Sequence, residues 1–134
     1  MAHGGVAETS SMPSTEFRIF AAAMAVETAH LVDDGLVNPH DGATDVPSTL
    51  ISVAIAVVAV ASYGRLARPA RAILAGLFGL AGLLSGLDMH VIPALQHGPA
   101  GGDYTGFGQA AAGLVLLVLA AALALRPAAG PQTA

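Results

Sequence analysis

The sequence predicts an all-α fold: an integral membrane, antiparallel four-helix bundle whose helices run up-down-up-down. Of the 134 residues, 54% are hydrophobic and 10% are charged, whereas charged residues make up about 25% of a typical soluble domain. Four apolar stretches approach or reach the roughly 20 residues that a helix needs to cross a bilayer. The segments between them are short and rich in turn-forming residues, which favours antiparallel neighbours.

The membrane domain is predicted to cover residues 16–126, with a disordered tail on either side. Its four spans are expected at residues 16–37, 47–63, 72–95 and 105–125. The second span is the shortest, and Pro47 suits a first helical turn, where a missing N–H costs nothing. Asp45, just before it, is expected to begin this helix. The tails are residues 1–15 and 127–134.

The positive charges predict the orientation of the bundle. With four spans, all five arginines fall on one side of the membrane: Arg18, Arg65, Arg68, Arg71 and Arg126. Because cytoplasmic loops are enriched in Lys and Arg, both termini are expected in the cytoplasm. Tyr63 and Tyr104 are expected in the interfacial belt of aromatic residues. The sequence therefore predicts a multi-pass protein of the inner (plasma) membrane.

Residues 27–34, ETAHLVDD, place acidic and histidine side chains at the far end of the first span. Successive helical residues are about 100° apart, so Glu27, His30 and Asp34 share one face, whereas Asp33 points away from it. Glu27 is the most deeply placed ionisable residue. A charge at such depth costs several kcal/mol, which favours a functional role and a polar partner.

The third and fourth spans offer that partner. Small residues allow close contact between membrane helices, and five glycines are expected at such contacts: Gly79, Gly82, Gly86, Gly106 and Gly113. His90 continues the glycine face of the third span, and Gln109 lies on that of the fourth. The sequence predicts an intramembrane cluster of five side chains: Glu27, His30, Asp34, His90 and Gln109.

Three interpretations of this cluster remain open. The leading one is structural, with hydrogen bonds between helices and no cofactor. The second is a zinc or copper site formed by His30, His90 and a carboxylate; the Glu-x-x-His pair that ends at His30 is used by di-iron bundles, but such bundles need two pairs and this chain has one. The third is haem between the two histidines, which the few aromatic residues and the close-packed glycine faces make the weakest fit.

Two stretches resemble a known membrane module. HLVDDGLVNPHDG ends the first span, and GPAGGDYTGFGQAAAGLVLLVLA leads into the fourth. Together they resemble a four-helix bacterial membrane domain that is often fused before an α/β-hydrolase domain, over most of residues 16–126. The resemblance implies a four-helix fold and membrane anchoring. We expect no serine-hydrolase activity, because this chain shows the membrane module standing alone.

Several function classes have no motif in the sequence. With no cysteine there is no thiol nucleophile or thiolate metal site, and no phosphate loop, nucleophile elbow or basic nucleic-acid patch is present. The sequence therefore predicts a non-enzymatic scaffold or accessory module, which lies in the lipid bilayer and accompanies a membrane or cytoplasmic protein. The alternative is a metal- or haem-binding membrane protein that uses the polar cluster on its outer side.

Overall fold

The structure is a computed structural model that describes residues 14–39, 45–98 and 104–126, and every regular element in these ranges is helical. The five α-helices are α1 Thr15–Val32, α2 Val46–Tyr63, α3 Arg68–Gly86, α4 Ile92–His97 and α5 Thr105–Leu125. Two segments are π-helical: Asp33–Val37 continues α1, and Leu87–Val91 joins α3 to α4. The prediction of an all-α fold is confirmed. The predicted tails lie outside the described residues, apart from Ser14 and Thr15.

Three helices in the described ranges are apolar and long enough to cross a membrane: α2, the continuous helix Arg68–Gln96, and α5. The α1 helix differs because its 18 residues include Glu16, Arg18 and Glu27. Four spans were predicted, and composition alone supports three of them.

The starts of α1 and α2 follow from their capping residues. The Ser14 hydroxyl accepts a hydrogen bond from the Phe17 N–H (3.2 Å), and the Asp45 carboxylate accepts one from the Ser48 N–H (2.8 Å). The predicted role of Asp45 is confirmed, and the bond from the Ser48 N–H lowers the pKa of the Asp45 carboxyl. The third helix begins at Arg68, earlier than the predicted residue 72, since a proline in its first turn does not interrupt it.

Glycines bring α3 and α5 together in the most extensive interface of the bundle. A Cβ atom at Gly79 would lie 2.8 Å from the Gly113 carbonyl oxygen, and one at Gly86 would lie 2.7 Å from the Ala110 nitrogen. Only hydrogen atoms fit between the two backbones at these points. The α1 helix packs against both α5 and α2.

Two other predicted packing glycines make room for polar side chains. A Cβ atom at Gly82 would overlap the Glu27 carboxylate, and one at Gly106 would overlap the His90 imidazole. These two glycines therefore make room for the Glu27 and His90 side chains.

One end of the bundle holds an aromatic and ionic group, which we call the arginine cluster. Its members are Glu16, Phe20, Tyr63, Arg71 and Arg126. The rings of Phe20 and Tyr63 are fully buried and stacked, with centroids 4.0 Å apart. Arg71 and Arg126 both contact the Glu16 carboxylate, at 2.7 and 3.6 Å. Tyr63 is part of the buried core, and Tyr104 is exposed.

Candidate functional site

Three side chains of the metal-binding type meet at the other end of the bundle: His30, Asp34 and His90. We call them the histidine cluster. The Asp34 Oδ2 atom lies 3.2 Å from His30 Nε2 and 3.8 Å from His90 Nε2, and one ligand atom from each residue lies within 4.8 Å of the others. The two histidines are only 3% and 5% exposed, whereas Asp34 is half-buried.

The backbone that carries this cluster departs from regular α-helix in two places. Asp34 lies in the π-helical segment Asp33–Val37, where the Asn38 N–H donates to the Asp33 carbonyl oxygen at 2.7 Å. His90 lies in the second π-helical segment, Leu87–Val91. Fewer than about 1% of residues in proteins adopt this conformation, and it is frequent at functional sites. Both irregularities of the backbone supply residues to the same cluster.

The Thr105 hydroxyl group, on α5, orients His30. The Thr105 hydroxyl donates to the Asp33 carboxylate (3.0 Å) and lies 2.9 Å from His30 Nδ1. A hydroxyl has one proton to donate, so towards His30 it acts as the acceptor, and Nδ1 carries the ring proton. The neutral ring then has its lone pair on Nε2, facing Asp34.

This arrangement places two hydrogen-bond acceptors against each other. The lone pair of His30 Nε2 and a carboxylate oxygen of Asp34 are 3.2 Å apart. Either a second proton on the ring or a cation between the two atoms makes such a contact favourable. His30 Nε2 is therefore suited to ligate a metal ion, with its other ring nitrogen held by a hydrogen bond, as is usual for metal-ligating histidines.

His90 packs closely against Gly106 and His30. Its ring lies where a side chain at position 106 would otherwise be, because Gly106 has none. The rings of His30 and His90 meet edge to face, with centroids 4.7 Å apart and planes at 88°. The second imidazole is thereby held beside Asp34 by α5 and by His30.

Glu27 and Gln109, predicted to belong to the same cluster, lie at a different place. Both are buried, at 6% exposure each, and both line a cavity of about 340 Å³ between α1, α2 and α3. Their Oε1 atoms have no hydrogen-bond partner among the described residues. The five predicted site residues thus form two groups, the histidine cluster and the cavity pair.

Two residues linked to the histidine cluster by hydrogen bonds, Thr105 and Asp33, were not predicted. Asp33 points away from the His30 face of an ideal helix, yet the Thr105 hydroxyl connects it to the His30 ring. Helical periodicity describes one helix at a time, so it gives no signal for a bridge between α1 and α5.

Comparison of the chain with protein-family models, curated proteins and solved structures found no match.

Proposed function

We propose that this protein is a four-span inner-membrane protein that binds a divalent transition-metal ion through His30, Asp34 and His90. The observation that carries the proposal is the meeting of two buried imidazole Nε2 atoms at one carboxylate oxygen, 3.2 and 3.8 Å away. The hydrogen bond from His30 Nδ1 to Thr105 supports it, because it directs the Nε2 lone pair at the same point.

The donor atoms favour zinc, with copper second. Zinc binds imidazole nitrogen and carboxylate oxygen at about 2.0–2.2 Å in tetrahedral geometry, which places neighbouring ligand atoms roughly 3.3–3.6 Å apart. The two contacts of Asp34 bracket that spacing. Three protein ligands leave a fourth position for water or an exchanging ligand, as in catalytic and transfer sites.

Haem is a poorer fit than a single ion. Two axial histidines would have to face each other across a flat macrocycle, whereas the rings of His30 and His90 touch edge to face with centroids 4.7 Å apart. No macrocycle fits between rings in direct contact.

The contacts at the two ends of α1 support an antiparallel arrangement with α5. Glu16, at the start of α1, meets Arg126, just after α5. His30, near the end of α1, meets Thr105, the first residue of α5. With the five arginines on one side, both termini are cytoplasmic. A topology reporter fused after Ala134 should therefore report a cytoplasmic location, and one inserted at Gly42 an exported one; an exported C-terminus contradicts the four-span arrangement.

The metal proposal is tested with detergent-purified protein loaded with zinc and washed free of excess ion. We expect roughly one zinc ion per chain. His30→Ala and His90→Ala should weaken zinc binding by more than about 100-fold, since losing even a hydrogen-bonding partner of a ligand typically costs about 10–100-fold. Asp88→Asn is the matched control, because Asp88 lies two residues from His90 but is exposed. Equal zinc affinity in all four proteins contradicts the proposal.

A second candidate function is that of a scaffold or accessory module for another protein, related to the membrane domain that the sequence resembles. The observation that favours it is that His30 has protein partners on both ring nitrogens, Thr105 and Asp34. The contact of His30 with Thr105 joins α1 to α5, and hydrogen bonds between membrane helices contribute about 0.6 kcal/mol each. This function would be favoured if the protein without zinc is as stable as the zinc-loaded protein and if a partner protein co-purifies with it.

A further inference from the structure

A cavity of about 340 Å³ opens between α2 and α3, with α1 behind it. It exists because α2 packs against α1 and makes few contacts with α3. Its wall is largely apolar, with Met24, Ile55 and Phe78 among the larger side chains. Its size lies in the range of small-molecule sites, roughly 300–1,000 Å³.

Two residues that line this cavity carry buried oxygen atoms with unmet hydrogen-bonding capacity. They are Oε1 of Glu27 on α1 and Oε1 of Gln109 on α5, and neither has a partner among the described residues. Leaving such a group unpaired is costly, typically about 1–3 kcal/mol and more when it is charged. Two orphaned acceptors in one cavity indicate an occupant that donates hydrogen bonds.

The position of Glu27 is built into the fold. Its carboxylate lies where a side chain at position 82 would be, and Gly82 leaves that space open. None of the described residues that line the cavity is basic, so its wall supplies no counter-charge for the Glu27 carboxylate. A buried carboxylate requires a charged or hydrogen-bonding partner.

We propose that the cavity binds a small amphiphilic organic ammonium ion. The ammonium N–H groups would donate to Glu27 and Gln109, and the apolar part of the ion would lie against Met24, Ile55 and Phe78. A hard divalent cation fits less well, because calcium takes six to eight oxygen ligands and magnesium six, whereas this largely apolar wall holds a single carboxylate. This site is separate from the histidine cluster and does not depend on the metal.

The test uses full-length protein in detergent, stripped of metal with a chelator, and two probes of nearly equal shape, benzylammonium and benzyl alcohol. Calorimetry should show tighter binding of benzylammonium by about 10–100-fold, the range expected for charge-assisted hydrogen bonds. Glu27→Gln keeps the shape of the side chain and should reduce this preference to near unity. Asp88→Asn removes an exposed carboxylate and should leave the preference unchanged, and His90→Ala should leave it unchanged as well.

Equal binding of benzylammonium by the native protein and Glu27→Gln would overturn the proposal, as would no preference in the native protein. If Glu27→Gln yields no folded protein, Ser52→Leu decides. Ser52 lies on α2 and lines the cavity, so a leucine there places a larger apolar side chain in the wall and leaves Glu27 in the sequence. Weaker binding of both probes supports the proposal, and unchanged affinity overturns it. Loss of zinc binding at the histidine cluster would leave all of these results unaltered.

Discussion

The two ends of this bundle are built on different principles. At the arginine cluster the helices are regular, two aromatic rings stack at 4.0 Å, and Arg71 reaches Glu16 at 2.7 Å. At the histidine cluster both contributing helices pass through π-helical segments, and the buried groups are imidazoles. One end places two guanidinium groups against one carboxylate. The other places two imidazole nitrogens beside one carboxylate oxygen.

This difference distinguishes the groups that stabilise the fold, at the arginine cluster, from the groups of the proposed metal site, at the histidine cluster. The stacking of Phe20 on Tyr63 and the ion pairs of Glu16 with Arg71 and Arg126 are made within the protein, so these contacts do not depend on a ligand. The acceptor pair of His30 and Asp34 is completed by a proton or a metal ion. We therefore expect substitutions at the arginine cluster to change folding, and substitutions at the histidine cluster to change binding.

The largest effect on stability is expected from Phe20→Ala. Truncating a fully buried phenylalanine typically costs about 3–5 kcal/mol, and here it also removes the stacking partner of Tyr63. The melting temperature in detergent should fall strongly while zinc affinity stays unchanged. Phe107→Ala is the control, because Phe107 is 39% exposed. If Phe20→Ala weakens zinc binding in protein that remains folded, the two ends are coupled and the separation fails.

Gly82→Leu tests the region between the two clusters. A side chain at this position would collide with the Glu27 carboxylate, and overpacking of this kind costs about 1–3 kcal/mol. Gly76→Ala is the control on the same helix, since its Cβ atom would lie 3.7 Å from that of Ala120, an ordinary contact. Equal melting temperatures for the two variants would mean that α3 does not pack on Glu27.

Gly106→Ala sharpens the contrast at the histidine end. Its methyl group would overlap the His90 ring, so we expect zinc affinity to fall by about tenfold or more, with a stability loss of only about 1 kcal/mol. Gly108→Ala adds the same methyl group two residues along α5, where it would meet Val26 at 3.4 Å, and should leave zinc binding unchanged. Parallel losses in both variants would show that helix packing, and not the His90 ring, governs binding.

The smallest effect concerns Asp45, which belongs to neither cluster. Its pKa is lowered in the folded protein by the hydrogen bond from the Ser48 N–H. A carboxyl group whose folded pKa is depressed adds stability above its unfolded pKa, and this contribution disappears as the pH falls through the folded pKa. Asp45→Asn keeps a capping side chain but does not titrate. The melting-temperature difference between native protein and variant should therefore shrink from about pH 7 to about pH 3; a constant difference contradicts this.

Hydropathy and turn signals predict most of the helical layout. The observed bounds of α2 and α5 nearly coincide with the predicted spans, because each is an almost uninterrupted apolar run beginning after polar residues. Periodicity also places His30 and Asp34 on one face, and both meet His90. These features follow from the sequence of single helices, which a local pattern describes well.

Several features that depend on pairs of helices were not predicted. The stacking of Tyr63 on Phe20 depends on how α1 and α2 pack, which the sequence of either helix does not show. Arg71 reads as a determinant of topology, although it also forms an ion pair with Glu16 across the bundle. The π-helical segments leave no trace in hydropathy, since they change the backbone hydrogen bonds and not the residue types. The division of the polar residues into the histidine cluster and the cavity pair was also not predicted, because it depends on how the helices pack together.

The π-helical segments also make the site depend on the length of the chain. A π turn accommodates one residue more than an α turn, because its hydrogen bonds reach five residues back instead of four. Deleting one residue within Leu87–Val91 would let the helix continue as regular α-helix. The side chains after the segment would keep their phase relative to α3, because the π turn had absorbed the extra residue, whereas those within it, His90 among them, would be displaced. The proposed ligand set therefore depends on the residue count between α3 and α4 as well as on the identity of His90, so deleting one codon beside His90 would disrupt the proposed site while His30, Asp34 and His90 all remained in the chain.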